Sequence, residues 1–165
     1  MSITFNADEI FEMAEEIERN GANFYKRAAE GSAGSQAKDM LLELANWELQ
    51  HEKLFADMRS ELSGQEAGTI TFDPDDQAAL YLQAMADGHV FDVSADPAEK
   101  LTGNESLEEI FRTAIGLEKD SIVFYLGIRD MVPERMGKDK IDRIINEEKG
   151  HVAQLAGKLN DARGE

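Results

Sequence analysis

Apolar residues recur at the three- and four-residue spacing of an α-helix through most of this chain. The pattern predicts four long helices, over residues 8–30, 35–62, 104–131 and 134–161. Asp8 is expected to cap the first helix, because its side chain can accept a hydrogen bond from a first-turn amide. Ser106 and Glu109 have the spacing of a capping box, which predicts that the third helix begins beside them.

Two of the three links between these helices are short. A glycine- and serine-rich break at residues 31–35 follows the first helix, and Val132-Pro133 follows the third. Short links join helices that lie antiparallel to each other. The chain is therefore expected to form two helical hairpins, over residues 8–62 and 104–161.

The middle link, residues 63–103, is much longer and is expected to contain a short helix from about Asp75 to Asp87. A link of this length can return along a bundle about 35 Å long. Two hairpins joined by one long crossover have the connectivity of a ferritin-like four-helix bundle. The fold predicted is all-α, with one such domain over residues 1–165. An ordinary helical bundle with a long loop is the alternative.

Composition excludes several classes of function. The 165 residues include 34 acidic and 17 basic side chains, which give a net charge of −17. This charge argues against binding to nucleic acid or to an anionic membrane surface, because both need clustered Lys and Arg. The absence of cysteine excludes disulfides and thiolate metal sites. No apolar run approaches the roughly 20 residues of a membrane helix, and no signal peptide is visible, so a cytoplasmic protein is expected.

The two predicted hairpins repeat each other. When the chain is shifted by one hundred residues, they align without a gap. Positions of the first hairpin that are identical in the second include Glu9, Ile10, Phe11, Ala14, Glu18, Phe24, Tyr25, Lys38, Asp39, Asn46, Glu48 and His51. The two hairpins therefore look like a duplicated pair of helices.

Six polar residues of this repeat fall on the apolar faces of the predicted helices. Two helices each supply one glutamate, and the other two each supply a Glu-x-x-His pair, whose members share a face. All six lie at nearly the same height once the hairpins fold back. Buried carboxylates need cations, and no Lys or Arg is available at these positions. The set matches the ligands of a carboxylate-bridged dimetal site: Glu18, Glu48, His51, Glu118, Glu148 and His151. A bundle without metal, in which water satisfies these groups, is the alternative.

At these residues the chain resembles the rubrerythrin family of ferritin-like proteins. The motifs that carry the resemblance are Glu18 to Phe24-Tyr25, Glu48-Leu49-Gln50-His51, Glu118 to Phe124-Tyr125, and Glu148-Lys149-Gly150-His151. They lie in both hairpins and leave the middle of the chain unassigned. The resemblance implies a non-haem di-iron centre that reduces hydrogen peroxide, or less efficiently dioxygen, to water.

The resemblance also implies a role for each residue. Glu18 and Glu118 would be terminal ligands, and Glu48 and Glu148 would bridge the two metal ions. The histidines would bind one iron each, at His51 and His151. The tyrosines, Tyr25 and Tyr125, would hydrogen-bond the carboxylate ligands, although packing as core aromatics is an equally good interpretation.

Two departures from the family bear on function. Family members usually carry one more glutamate a turn after the third-helix ligand, where this chain has Ser121. Without it the ligand set is more symmetrical, as in bacterioferritin. A chain without cysteine also cannot bind the iron of a rubredoxin module, so the resemblance implies electrons from a separate donor protein. It further implies a homo-oligomer, a dimer or larger.

Other functions fit the same ligands. Iron is favoured over zinc because carboxylate and imidazole ligands shared by two ions suit a redox pair, and manganese is possible. Iron oxidation and storage is the main alternative to peroxide reduction, since an acidic surface attracts ferrous ions. A dimetal oxidase, a manganese catalase and a metal-free assembly module are further alternatives.

Overall fold

The computed structural model describes residues 6–32, 35–62, 96–132 and 134–164, and four positions between residues 77 and 84. It contains four long helices, which confirm the predicted all-α bundle: α1 (Ala7–Gly31), α2 (Ser35–Ser60), α3 (Leu107–Met131) and α4 (Lys138–Arg163). Helix α1 packs along α2, and α3 packs along α4. Within the described ranges, no helix is both long enough and apolar enough to cross a membrane.

The first helix begins earlier than its sequence pattern predicts. Asn6, not Asp8, is the N-cap: its side chain accepts a hydrogen bond from the amide of Glu9 at 2.8 Å. The Glu9 carboxylate accepts one from the amide of Asn6 at 2.9 Å. Asp8 lies inside the first turn and instead binds Arg59 of α2 at 2.7 Å. The capping box predicted for α3 is present, because Ser106 and Glu109 form both of its hydrogen bonds.

The fourth helix begins later than predicted. Residues Glu134–Met136 form a separate 3-10 turn, and Gly137 follows with a φ of 97°. This left-handed conformation interrupts the helix and is favourable only for glycine or a few polar residues. Helix α4 therefore starts at Lys138 and extends past the predicted end to Arg163. Helix α2, in turn, ends at Ser60, two residues before the predicted Leu62.

Most of the short helix predicted near residues 75–87 lies outside the described residues. The four described positions in this segment are helical, and one of them, Tyr81, contacts the bundle. Its hydroxyl donates a hydrogen bond to the carbonyl of Val123 at 2.6 Å, and its ring lies against Gly127. A Cβ atom at Gly127 would come within 2.3 Å of this ring, so the close contact requires glycine.

Two clusters of buried apolar side chains fill the bundle. One is built from the beginnings of α1 and α4 and the ends of α2 and α3, and includes Ile10, Phe11, Phe55, Phe124, Tyr125 and Ile144. The other is built from the opposite ends of the same helices, and includes Phe24, Tyr25, Leu41, Leu44, Phe111 and Leu155. The six candidate ligands lie near the middle of their helices, between the residues of these two clusters in the sequence. The apolar clusters therefore close off the layer of these six residues on both sides.

We expect Phe55→Ala to destabilise the protein by about 3–5 kcal/mol, because it removes a large buried side chain and leaves a cavity. Phe55 is fully buried and packs against Phe11 and Tyr125, with ring centroids 6.4 and 5.2 Å apart. Urea unfolding would measure the change. Leu42→Ala is the matched control, since Leu42 lies on the same helix and is 43% exposed. A similar loss for both variants would contradict the packing described here.

Candidate metal centre

The structure brings together all six polar residues of the repeat. Glu18 comes from α1 and Glu118 from α3, while α2 and α4 each contribute a glutamate and a histidine one turn apart. Every one of these side chains is buried, and even the most accessible, His151, is only 7% exposed. Four carboxylates and two imidazoles thus lie close together inside the bundle. None of the six belongs to the 17 Lys and Arg residues of the chain.

The six side chains form two overlapping groups with the spacing of metal ligands. The His51 subsite consists of Glu18, Glu48, His51 and Glu148. The His151 subsite consists of Glu48, Glu118, Glu148 and His151. In each group, one ligand atom per residue lies within 4.8 Å of the others. Glu48 and Glu148 belong to both subsites. These two glutamates are therefore in the position of carboxylates that bridge a pair of ions.

In the His51 subsite, the imidazole presents its Nδ1 atom to the carboxylates. This nitrogen lies 2.8 Å from Oε1 of Glu148 and 3.4 Å from Oε2 of Glu18. The other ring nitrogen, Nε2, points away from the cluster and contacts Oε2 of Glu147 at 2.7 Å. Nδ1 is therefore the nitrogen that could bind an ion.

In the His151 subsite the imidazole also presents its Nδ1 atom to the carboxylates, but most of the distances are longer. Its Nδ1 atom lies 2.9 Å from Oε2 of Glu148, 3.7 Å from Glu118 and 3.8 Å from Glu48. Glu148 thus lies 2.8 and 2.9 Å from Nδ1 of the two histidines, whereas Glu48 comes no nearer than 3.8 Å to Nδ1 of His151. The two bridging candidates are not equivalent in the arrangement that the side chains adopt here.

Each tyrosine of the repeat hydrogen-bonds a glutamate from the other hairpin. The Tyr25 hydroxyl donates to Oε1 of Glu118, and the Tyr125 hydroxyl donates to Oε1 of Glu18. Burial, followed by the nearby carboxylates, raises the pKa of both tyrosines well above its usual value, so the phenols keep their protons. The tyrosines are core aromatics and carboxylate partners at once, and they orient the two non-bridging glutamates.

The carboxylates strongly affect each other's protonation. Burial, and then repulsion among the carboxylates, raises the pKa of three of them above its usual value: Glu18, Glu48 and Glu118. Burial also acts on Glu148, but polar contacts with Glu118 and the two histidines outweigh it and hold the pKa of Glu148 below its usual range. Without a cation, this layer keeps protons on some carboxylates to limit its charge.

The nearby carboxylates also raise the pKa of both histidines, against the effect of burial. Burial alone would lower the pKa of His51, but its contacts with Glu148 and Glu18 outweigh burial and raise that pKa to about 11. Contacts with Glu118 and Glu148 likewise overcome burial at His151 and raise its pKa to about 9. The carboxylates therefore attract positive charge to both imidazoles, as they would attract a metal ion.

Buried atoms without hydrogen-bond partners test whether the residues fit metal ions. Four atoms of this layer form no hydrogen bond of good geometry: Oε2 of Glu18, Oε1 of Glu48, Nδ1 of His51 and Oε1 of Glu148, the last two of which lie 2.8 Å apart. Buried polar atoms are normally satisfied, and leaving one unpaired costs about 1–3 kcal/mol. All four belong to the His51 subsite, and oxygen and imidazole donors are those that iron and manganese accept. The residues present fit a pair of divalent ions.

Sequence reasoning missed two residues at this site. Glu147 contacts the outer nitrogen of His51, and Gly21 leaves room for Glu48. Neither position is identical in the two hairpins, since Trp47 is the counterpart of Glu147 and Ser121 is the counterpart of Gly21. A search for repeated residues therefore could not find them.

Ser121 does not supply the carboxylate that the resemblance implies at its position. Its side chain is buried, and its hydroxyl donates a hydrogen bond to the carbonyl of Leu117 at 3.0 Å. This bond back to the preceding turn is common for serine inside a helix. The hydroxyl therefore adds no charge to the cluster.

A four-helix bundle in which two glutamates and two Glu-x-x-His pairs come together is characteristic of ferritin-like carboxylate proteins. Residues 9–159 match the Rubrerythrin family, and the chain belongs to that family. The fold is also similar to that of a Thermotoga maritima protein, whose crystal structure is described as that of a ferritin-like diiron-carboxylate protein. The two chains are 25% identical, with a TM-score of 0.72 over 96% of this chain and 97% of the other. No curated protein matches the sequence.

We expect Gly21→Ala to weaken metal binding while leaving the fold intact. A Cβ atom at residue 21 would lie 2.6 Å from Oε2 of Glu48, so the carboxylate must shift from its position in the centre. Affinity for Co²⁺, measured by competition with a chelator, should fall at least about tenfold, as for other residues that support a ligand. Helix stability should rise by as much as about 1 kcal/mol, since alanine replaces glycine.

Gly116→Ala is the control for this change. Gly116 also lies inside a helix, α3, but a Cβ atom there would meet no atom within 4 Å. It should show the gain in stability without the loss of affinity. Equal Co²⁺ affinities for the two variants would contradict the close approach of Gly21 to Glu48.

Proposed function

We propose that this chain is a non-haem di-iron oxidoreductase that reduces hydrogen peroxide with electrons from a separate donor protein. The observation that carries the proposal is the convergence of four buried carboxylates and two imidazoles in two adjoining four-residue subsites that share Glu48 and Glu148. Membership of the rubrerythrin family favours iron and redox chemistry at such a site. The proposal extends that family membership to one substrate and one reaction.

The donor set is suited to holding two divalent ions side by side. Glu48 and Glu148 would bridge them, and Glu18 and Glu118 would each bind one ion. When all four carboxylates are ionised, their charge of −4 balances two ions of charge +2 each. Two ferrous ions would supply one electron each, which together with two protons reduce one hydrogen peroxide to two molecules of water.

The protein's own contribution is to position the ligands and to shield them. The Tyr25 and Tyr125 phenols donate to Glu118 and Glu18, which fixes one oxygen of each carboxylate and leaves the other for an ion. The apolar clusters above and below the layer limit the access of water. Shielding of this kind strengthens the electrostatic interactions within the site and suppresses side reactions.

A separate electron donor is part of the proposal. The chain contains no cysteine, so it cannot itself bind an iron through four thiolates. The buried centre lies within the bundle, and a donor must therefore reduce it through the protein. A strongly acidic chain, with a net charge of −17, would be met most readily by a donor with a basic surface.

An anaerobic ferrous titration of the metal-free protein, followed by mixing with peroxide or with dioxygen, tests the proposed reaction. We expect binding to saturate at two irons per chain and oxidation to be much faster with peroxide. Faster oxidation by dioxygen that continues beyond two irons, with retained mineral, would instead indicate iron storage. Failure to bind iron together with tight binding of manganese would favour a manganese enzyme, and failure with both metals would overturn the metal centre.

We expect Glu48→Ala and Glu148→Ala each to abolish loading with two irons, because each removes a ligand that both subsites share. The measurement is the iron content after anaerobic loading, read with a ferrous chelator. Glu43→Ala is the control, since Glu43 is an exposed residue of α2. Two irons per chain in either variant would contradict the assignment of the bridging glutamates.

A further inference from the structure

The two histidines of the centre have different neighbours on their outer sides. Oε2 of Glu147 lies 2.7 Å from Nε2 of His51, on the ring edge opposite the carboxylate cluster. In the shifted alignment of the two hairpins, the residue equivalent to Glu147 is Trp47. The six candidate ligands are therefore repeated in the two hairpins, whereas the residues beside the outer nitrogens of the two histidines differ.

The contact with Glu147 determines which nitrogen of His51 faces the centre. A carboxylate only accepts hydrogen bonds, so Nε2 must carry the proton that it shares with Glu147. In the neutral imidazole that a metal ion requires, Nδ1 is then the nitrogen with the lone pair, and it is the atom that lies between Glu18 and Glu148. Partners of this kind fix the tautomer and the ring orientation of histidine ligands and raise their basicity.

His151 lacks an equivalent acceptor. The indole of Trp47 can donate a hydrogen bond but cannot accept one. It packs near both imidazoles, with ring centroids 6.2 Å from His151 and 6.4 Å from His51. Within the described ranges, no hydrogen bond reaches Nε2 of His151 from any side chain. Trp47 thus lies beside the His151 ring but offers no acceptor to its Nε2 atom.

Glu147 is more than a surface charge. Its side chain is 30% exposed, and its second oxygen, Oε1, lies 3.5 Å from the guanidinium of Arg143 one turn earlier on α4. This longer and exposed pair contributes little by itself. It does, however, hold the carboxylate from the outside while Oε2 reaches the ring of His51 on the neighbouring helix α2. Glu147 thus links α4 to a candidate ligand of α2.

We propose that Glu147 is a positioning residue that holds the His51 imidazole with Nδ1 directed at the metal centre, and that His151 has no equivalent partner among the described residues. The inference rests on the proposed function, because it takes the six residues as metal ligands. It predicts that the loss of Glu147 weakens only the binding that His51 supports. A long-range effect of its charge would weaken both subsites alike, since they share two glutamates.

A double-mutant cycle separates these two possibilities. The probe is Co²⁺, bound to the metal-free full-length protein and measured by competition with a chelator. With His151→Ala as the background, the remaining imidazole is His51, and Glu147→Ala should weaken Co²⁺ binding by about 10–100-fold. With His51→Ala as the background, the same substitution should change the affinity by less than about threefold, which is within the spread expected for an outer charge.

Two further variants keep the test specific. Glu147→Gln retains an acceptor for Nε2 and should recover part of the affinity lost in Glu147→Ala, together with the wild-type visible spectrum of bound Co²⁺. Glu52→Gln removes the same charge one residue from His51, but its carboxylate binds Arg19 at 2.9 Å. It should leave both affinities unchanged. Thermal unfolding of the metal-free variants would identify any general loss of structure.

The outcomes are distinct. Weakening confined to the background that retains His51 supports the role of Glu147. Equal weakening in both backgrounds, or an unchanged affinity in both, overturns it while leaving the proposed function intact. A wild-type chain that binds neither Co²⁺ nor Fe²⁺ would overturn the metal centre itself, and the role of Glu147 with it.

Discussion

Four carboxylates buried in one layer are the constraint on which this structure depends. Each would be costly to bury alone, because burial removes the water that stabilises its charge. The described part of the chain places no Lys or Arg beside them, and the two histidines supply at most two positive charges. The raised pKa of Glu18, Glu48 and Glu118 is the direct expression of this imbalance. Cations that bind in the layer would remove it, so stability and metal binding are coupled here.

The duplication explains how one chain builds such a layer. Shifting the sequence by one hundred residues carries Phe124 and Tyr125, in one apolar cluster, onto Phe24 and Tyr25 in the other. The two tyrosine–glutamate hydrogen bonds exchange in the same way, because each joins one hairpin to the other. A half-chain therefore could not complete either subsite. Each needs a bridging glutamate from the opposite hairpin, which ties the assembly of the centre to the pairing of the two hairpins.

The residues that sequence reasoning found are those that periodicity and repetition both mark. The candidate ligands lie on apolar helical faces and occur twice, so they could be predicted without coordinates. The exact ends of the helices were harder to predict, because they depend on contacts and backbone conformations that a sequence pattern does not reveal. Asn6 caps α1 because Asp8 is drawn to Arg59, and α4 starts late because Gly137 adopts a positive φ. Glu147 of α4 contacts His51 of α2 across the bundle, and no pattern within one helix reveals such a contact.

Positions 21 and 121 show how the same repeat limits charge at the centre. Gly21 and Ser121 are equivalent, and neither carries a charge. At residue 21 any side chain would strike Glu48, and at residue 121 the hydroxyl is bound to the backbone of its own helix. The negative charge of the layer is thus limited to its four carboxylates, which balance two divalent ions but fall two short of two trivalent ions. A glutamate in place of Ser121 would add one more negative charge to the layer. If two iron ions were held here, four carboxylates would stabilise the reduced pair more fully than the oxidised pair.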